Sequence, residues 1–204
     1  MSILFYSERA LNQIAFNTLK SLKENIVIGE PKAVPIEKII EQGYHLTIEY
    51  AHLTEKGDKL GQMVYSKGYT GVFDFEQDKY VPFRVNAGTI LIEANLLADI
   101  TQYGRYRFTL AHELGHWLLH QEMFLKTGEA AAMYDEENDE HLIEWQANYI
   151  AKAILMPKGL VKKAFYEMQA QGIRPRHLIN YMASLFEVSK EAMGYRLEDF
   201  GFLS

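Results

Sequence analysis

The sequence predicts an α+β fold: a small, mostly antiparallel sheet set between a helical N-terminal stretch and a longer helical second half. Three observations predict it. Apolar residues recur at helical spacing between Leu11 and Leu22. The period changes to two over residues 44–93, where glycines punctuate short runs. After Arg105 the helical period returns and holds nearly to the end of the sequence. With 204 residues and 48% hydrophobic content, there is enough apolar material to bury a real core.

The first helix is expected over residues 7–22, on the strength of Leu11, Ile14, Ala15, Thr18, Leu19 and Leu22. A short second helix follows, with Pro35 in its first turn and Gly43 just past its end. Tyr44, Leu46, Ile48 and Tyr50 then alternate with His45, Thr47 and Glu49, and Gly57, Gly61, Gly68, Gly71 and Gly88 separate further runs, giving three to five strands. Residues 89–100 carry Glu93, Asn95 and Asp99, so this stretch reads as a buried strand and turn and not as a membrane span. From Arg105 to about residue 120, Leu110, Leu114, Trp117 and Leu118 form the apolar stripe of a helix. A loop over 126–134 leads to a helix from residue 135 or 136 to 156, where Pro157 stops it. Three shorter helices, 158–171, 175–186 and 190–199, complete the chain, with Gly172 and Ser189 as boundary residues. The expected organisation is a domain over 1–157 with a helical segment, 158–204, packed on it. Within that segment Ala183, Leu185, Val188, Ala192 and Leu197 have the cadence of a helix-turn-helix.

Cysteine is absent, which excludes disulfides, thiolate clusters and cysteine nucleophiles and leaves His, Asp and Glu to hold any metal. The first residues lack the basic start of a signal peptide, and the expectation is a soluble cytoplasmic protein with no membrane partner. A net charge of −6 argues against a broad electrostatic grip on nucleic acid. The balance is uneven: residues 157–204 hold seven Lys or Arg against five Asp or Glu, while the first 156 hold 14 against 22. In the last helix only Lys190 and Arg196 face Glu191, Glu198 and Asp199, which argues for packing or protein docking over direct DNA contact.

The chemistry lies in His112-Glu113-Leu114-Gly115-His116. On a helix, residues four apart stand one turn apart on nearly the same face, so both imidazoles reach one metal. In this HExxH arrangement the Glu takes a proton from the attacking water, while zinc acidifies that water and polarises the scissile carbonyl. The bland alternative is a pair of surface histidines on an ordinary amphipathic helix. The stripe of Leu110, Leu114 and Trp117 counts against it, because it fixes the face on which the histidines stand.

A catalytic zinc needs a third protein ligand. A His six residues after the second motif His is ruled out, because position 122 is Glu and position 119 is Leu where a Gly is needed. Glu144 on the next helix is well placed, since Ala147 and Ala151 allow close helix approach. Among the rivals, His120 lies a turn too far along and suits capping or packing, and Glu140 and His141 lie a turn before Glu144. The acidic run 135–140 lacks the glycine of a calcium loop and suits a solvated first turn. Asn148 either orients a ligand or is a buried polar residue with a backbone partner.

These residues resemble the ImmA/IrrE metallopeptidases. The likeness rests on Arg107-Phe108-Thr109-Leu110-Ala111-His112-Glu113-Leu114-Gly115-His116, then Glu144 with Ala147-Asn148, then Leu155-Met156-Pro157. It is sharp over residues 89–157 and continues less sharply to Leu197. The resemblance implies a zincin-like metallopeptidase core with His112, His116 and Glu144 as zinc ligands, manganese being an alternative metal, and Glu113 as general base. It also implies limited proteolysis of a helix-turn-helix transcriptional repressor as the activity, with that repressor as partner. The strand at Thr89–Glu93 is then expected to be the sheet edge that receives an extended substrate. Tyr149, Tyr69, Tyr103 and Arg107 are candidates for stabilising the oxyanion. The competing reading is a non-proteolytic repressor- or DNA-binding regulator with a structural metal site, against which the presence of Glu113 weighs.

Overall fold

Ser7 stands in extended backbone and its hydroxyl accepts from the Ala10 amide, so helix α1 starts at Glu8 and runs Glu8–Leu19. The computed structural model describes residues 4–22, 26, 29–127 and 137–203. Leu11, Ala15, Thr18 and Leu19 form the buried face of α1, which closes at Lys20, slightly before the expected end. Helix α2 (Ile36–Lys38) is a single turn that continues as a wider π-type turn over Ile39–Gly43.

Five strands follow: β1 (Thr47–Ala51), β2 (Gly61–Val64), β3 (Gly68–Asp74), β4 (Lys79–Val85) and β5 (Thr89–Glu93). β5 lies between β1 and β2, parallel to β1 with Thr47 opposite Thr89, and antiparallel to β2 with Gly61 opposite Ile92. This corrects the expectation that Thr89–Glu93 is a sheet edge. Every residue of β5 is buried, as an uninterrupted Ile-Leu-Ile run in a strand covered on both faces should be, and β1 and β2 pair with it on both sides. The edge beside the His helix is β2 instead. β3 and β4 form a separate antiparallel hairpin.

In place of the simple turn expected after β5, the chain forms α3 (Asn95–Ala98) and a 3₁₀ turn at Ile100–Gln102, with the Asp99 carboxylate accepting from the Thr101 amide. Helix α4 (Tyr103–Thr127) runs past the expected end near 120, where Phe124 stacks on Tyr65 with ring centroids 4.3 Å apart. The expected loop at 126–134 and the start of the acidic run fall largely outside the described residues. Helix α5 is Glu137–Leu155, followed by α6 (Lys158–Ala170), α7 (Pro175–Phe186) and α8 (Lys190–Asp199). Pro175 occupies the first position of α7, Glu187 turns the chain with φ 52°, and the Ser189 hydroxyl caps α8 by accepting from Ala192.

One cluster of buried residues runs from Leu11 to Leu197, with α4 packed between α5 on one side and β2 and β5 on the other. Arg107 on α4 is 2% exposed, and its guanidinium donates to the carbonyls of Val34 at 2.6 Å and Glu187 at 3.0 Å. Arg196 on α8 donates to the Met156 carbonyl at 3.1 Å. No helix among the described residues is long and apolar enough to cross a membrane.

Candidate metal centre

Close contact between α4 and α5 builds the site. Gly115 faces Ala147: a methyl at position 115 would lie 3.2 Å from the Ala147 carbonyl oxygen and 3.3 Å from its Cα, and would overlap the Ile150 side chain. Glycine there lets the two backbones approach until a short carboxylate arm from α5 reaches the His face of α4. The result is a triangle of ligand atoms. His112 Nε2 and His116 Nε2 are 2.9 Å apart, and each is 3.3 Å from a different oxygen of Glu144. Bonds of about 2.0–2.1 Å at tetrahedral angles separate ligand atoms by roughly 3.3 Å, so the triangle has the size of one face of a four-coordinate site. Among the described residues, this is the group of His, Asp and Glu side chains assembled closely enough to hold an ion.

The donor set has the right electronic character as well. His112 Nδ1 is 3.1 Å from Asn148 Oδ1, which accepts, so Nδ1 carries a proton and the neutral imidazole presents Nε2 as its lone pair. Asn148 is exposed, which decides its role in favour of orienting the imidazole. His116 Nδ1 is 3.2 Å from His120 Nδ1, and His120 Nε2 is 3.0 Å from Gln146 Oε1. Burial holds the His120 pKa down to about 4, so it is neutral at physiological pH. For His112 burial works in the same direction, but the hydrogen bond to Glu144 and the charges of Glu113 and Glu144 outweigh it and raise its pKa. Glu144 is held well below the usual carboxylate range by hydrogen bonds from His112 and His116. With a cation in place of the protons that His112 and His116 share with Glu144, two imidazole nitrogens and an ionised carboxylate converge on one point, as a divalent cation requires.

Glu113 projects from α4 toward β2 and is 7% exposed. A methyl on Gly61 would lie 2.7 Å from Glu113 Oε1 and 2.9 Å from its Cγ, so the strand has room for this carboxylate because residue 61 has no side chain. Burial raises the Glu113 pKa, while positive charge at His116, His112 and Lys59 opposes the rise. A cleft of about 480 Å³ opens over these groups, lined on one side by Lys59, Leu60, Gly61, Gln62 and Met63 and on the other by Phe108, His112, Glu113, His116 and Glu144. Lys59 Nζ donates to Gln62 Oε1 at 2.9 Å, and partial burial of the ammonium lowers its pKa.

The structure thus brings together His112, Glu113, His116 and Glu144. Glu140 and His141 are exposed and do not line the cleft. None of the four oxyanion candidates lines it either. The Tyr149 hydroxyl accepts from Asn12 at 2.7 Å, Tyr69 is 72% exposed on the hairpin, Tyr103 stacks on Tyr106, and Arg107 is occupied with Val34 and Glu187. Four residues stand around the site with no site role legible in the sequence: His120, read as capping or packing, Gly61, read as a break between strands, and Gln146 and Lys59, which no motif singles out. The available signals are a third His at the same helical interval, His120 after His116, and an isolated Gly followed by a polar residue and an apolar pair, readable as a strand with a close approach.

The family model for the IrrE N-terminal-like domain, Peptidase M78, matches residues 72–198. The match takes in α4, α5 and all four clustered residues, while β2 with Lys59 and Gly61 lies before it. No curated protein matches the chain. The matched segment covers more than half of the sequence, and the chain belongs to the M78 peptidase family as an IrrE N-terminal-like domain.

Proposed function

We propose that the protein is a zinc-dependent endopeptidase that makes limited cuts in a cytoplasmic regulatory protein, specifically a helix-turn-helix transcriptional repressor. The observation that carries this is the position of Glu113. A structural metal site has no use for a buried carboxylate beside an open cleft, whereas a hydrolase needs a base with a raised pKa at that place. His112, His116 and Glu144 hold the cation. When bound, zinc supplies Lewis acidity, lowering the pKa of the attacking water and polarising the scissile carbonyl.

The chain's own groups do the rest. Glu113 accepts the proton of the attacking water and passes it to the leaving amine. The carbonyls of Leu60 and Val64 accept from Glu93 and Gly88 on the β5 side, so by ladder alternation the amides and carbonyls of Gly61 and Met63 face the open edge of β2. An extended substrate segment adds there as a further strand, which brings one peptide bond over Glu113. Among the described residues, Lys59 is the Lys or Arg that lines this cleft, and it supplies positive charge to the developing oxyanion. On α8, Arg196 is 2% exposed and held by Met156, which leaves Lys190 as the accessible cation of that helix. That favours protein docking over phosphate binding for the C-terminal helices.

The test is to incubate the zinc- or manganese-loaded protein with a candidate helix-turn-helix repressor from the same genome, with Glu113→Gln as control. Site-specific cleavage by the wild type alone is expected. A wild type that binds metal yet leaves that repressor as intact as the variant does would remove the repressor from the proposal.

A further inference from the structure

The Gln146 side chain sits between two groups with fixed demands. The Leu4 carbonyl only accepts, so Gln146 presents Nε2 to it at 2.9 Å and turns Oε1 toward His120. That oxygen also only accepts, so His120 carries its proton on Nε2 and donates at 3.0 Å. A neutral imidazole has one N–H, which leaves His120 Nδ1 as a lone pair. At 3.2 Å it accepts from His116 Nδ1, so the proton of His116 is also placed. The nitrogen left bare on His116 is Nε2, the one that faces His112 and Glu144.

We propose that His120 and Gln146 are positioning residues of the metal centre, holding His116 in the Nδ1–H tautomer and fixing its ring plane so that Nε2 meets the cation. This rests on reading the His112, His116 and Glu144 triangle as a metal site. Burial makes the arrangement directional: Gln146 is 0% exposed, His120 2% and His116 8%, so water does not replace a lost partner along the line. A histidine that merely filled the core would be satisfied by any nearby acceptor and donor. Here each bond has the polarity that bares the ligand nitrogen, and the line starts at a backbone carbonyl whose polarity no side-chain rotation reverses.

The experiment measures zinc affinity by chelator competition, and the absorption bands of the cobalt(II)-loaded protein, for the full chain and its variants. His120→Leu is expected to lower zinc affinity about 10–100-fold and to shift the cobalt bands, because groups that orient ligands carry effects of that size. His120→Asn, whose Oδ1 lies near the position of Nδ1 and accepts as it does, is expected to recover most of the loss. Should His120→Leu fail to fold, Gln146→Met removes the acceptor for His120 at similar volume and is expected to weaken zinc in the same direction. The proposal is overturned if His120→Leu, or in its place Gln146→Met, binds zinc as tightly as the wild type with unchanged cobalt bands. It is equally overturned if His120→Asn loses as much as His120→Leu. A wild type whose zinc affinity is indifferent to His116→Ala sinks the metal-site reading itself, a different result from wild-type binding that is indifferent to His120 alone.

Discussion

Gly115→Ala tests whether the spacing of α4 and α5 sets the metal site. A methyl at 115 finds the Ala147 carbonyl oxygen at 3.2 Å and its Cα at 3.3 Å, against an optimum of about 3.5–4.0 Å, and it also overlaps the Ile150 side chain. Ile150 is fully buried and leaves its rotamer at a cost of about 0.5–1.5 kcal/mol, while backbone atoms yield only if α5 moves by roughly 0.5 Å. Overpacking of this kind costs about 1–3 kcal/mol, and exchanging glycine for alanine within a helix returns about 1 kcal/mol. The net loss of stability is therefore small, about 0–2 kcal/mol. The metal site has less tolerance, because Glu144 lies one turn from Ala147, and metal–ligand distances accept changes of only about 0.2 Å. Zinc affinity should fall about tenfold or more while the metal-free protein melts near the wild-type temperature. Chelator competition and thermal melts of the metal-free forms read the two quantities separately. Higher thermal stability together with unchanged zinc affinity would refute the reasoning, since it would mean the helices do not need glycine at their contact.

Gly61→Ala places a methyl 2.7 Å from Glu113 Oε1, so peptidase turnover should drop about 100-fold while zinc affinity stays within a few-fold, measured by cleavage and metal titration in parallel. Lys59→Met should lower kcat by about 10²-fold, the scale of one lost oxyanion donor, with KM little changed. The same variant should move the acidic limb of the pH–rate profile upward, because the Lys59 charge lowers the Glu113 pKa and its removal lets that pKa rise. Glu113→Gln should stabilise the metal-free protein at neutral pH. The folded carboxyl is raised above its unfolded value of about 4.3, so its contribution to stability is fully present below that value and is lost as pH rises through the folded pKa. Melts of the wild type and variant should converge near pH 4 and separate as the pH is raised toward 8, by about 1.4 kcal/mol for each pH unit lying between the unfolded and folded pKa. A gap that narrows toward alkaline pH would contradict the assigned burial.

The features legible in the sequence are those that short-range rules control. The bounds of α7 and α8 follow from Gly172 and Ser189 as boundary residues, and His112, Glu113 and His116 follow from the interval of four on one helix. Glu144 is accessible to the same reasoning because Ala147 and Ala151 advertise close packing on α5. What long-range packing controls stays hidden. The buried run Thr89–Glu93 reads identically as an edge or a centre until β1 pairs parallel to it across more than 40 intervening positions. Gly61 reads as punctuation until β2 lies against α4, and its value is the space it leaves for Glu113. His120 reads as a turn too far along to share an ion with His116 and as suited to capping or packing. Its contact is with the far nitrogen of His116, and the group that orients it, Gln146, comes from another helix.

The central claim is that His112, His116 and Glu144 hold one catalytic zinc and that Glu113 acts beside it without being needed to bind it. Zinc stoichiometry and affinity, measured together for the wild type, Glu144→Ala and Glu113→Gln, test this most directly. The expected result is one zinc per chain in the wild type, affinity reduced about 100-fold or more in Glu144→Ala, and near-native affinity without peptidase activity in Glu113→Gln. Unchanged affinity in Glu144→Ala, or full cleavage by Glu113→Gln, would contradict it.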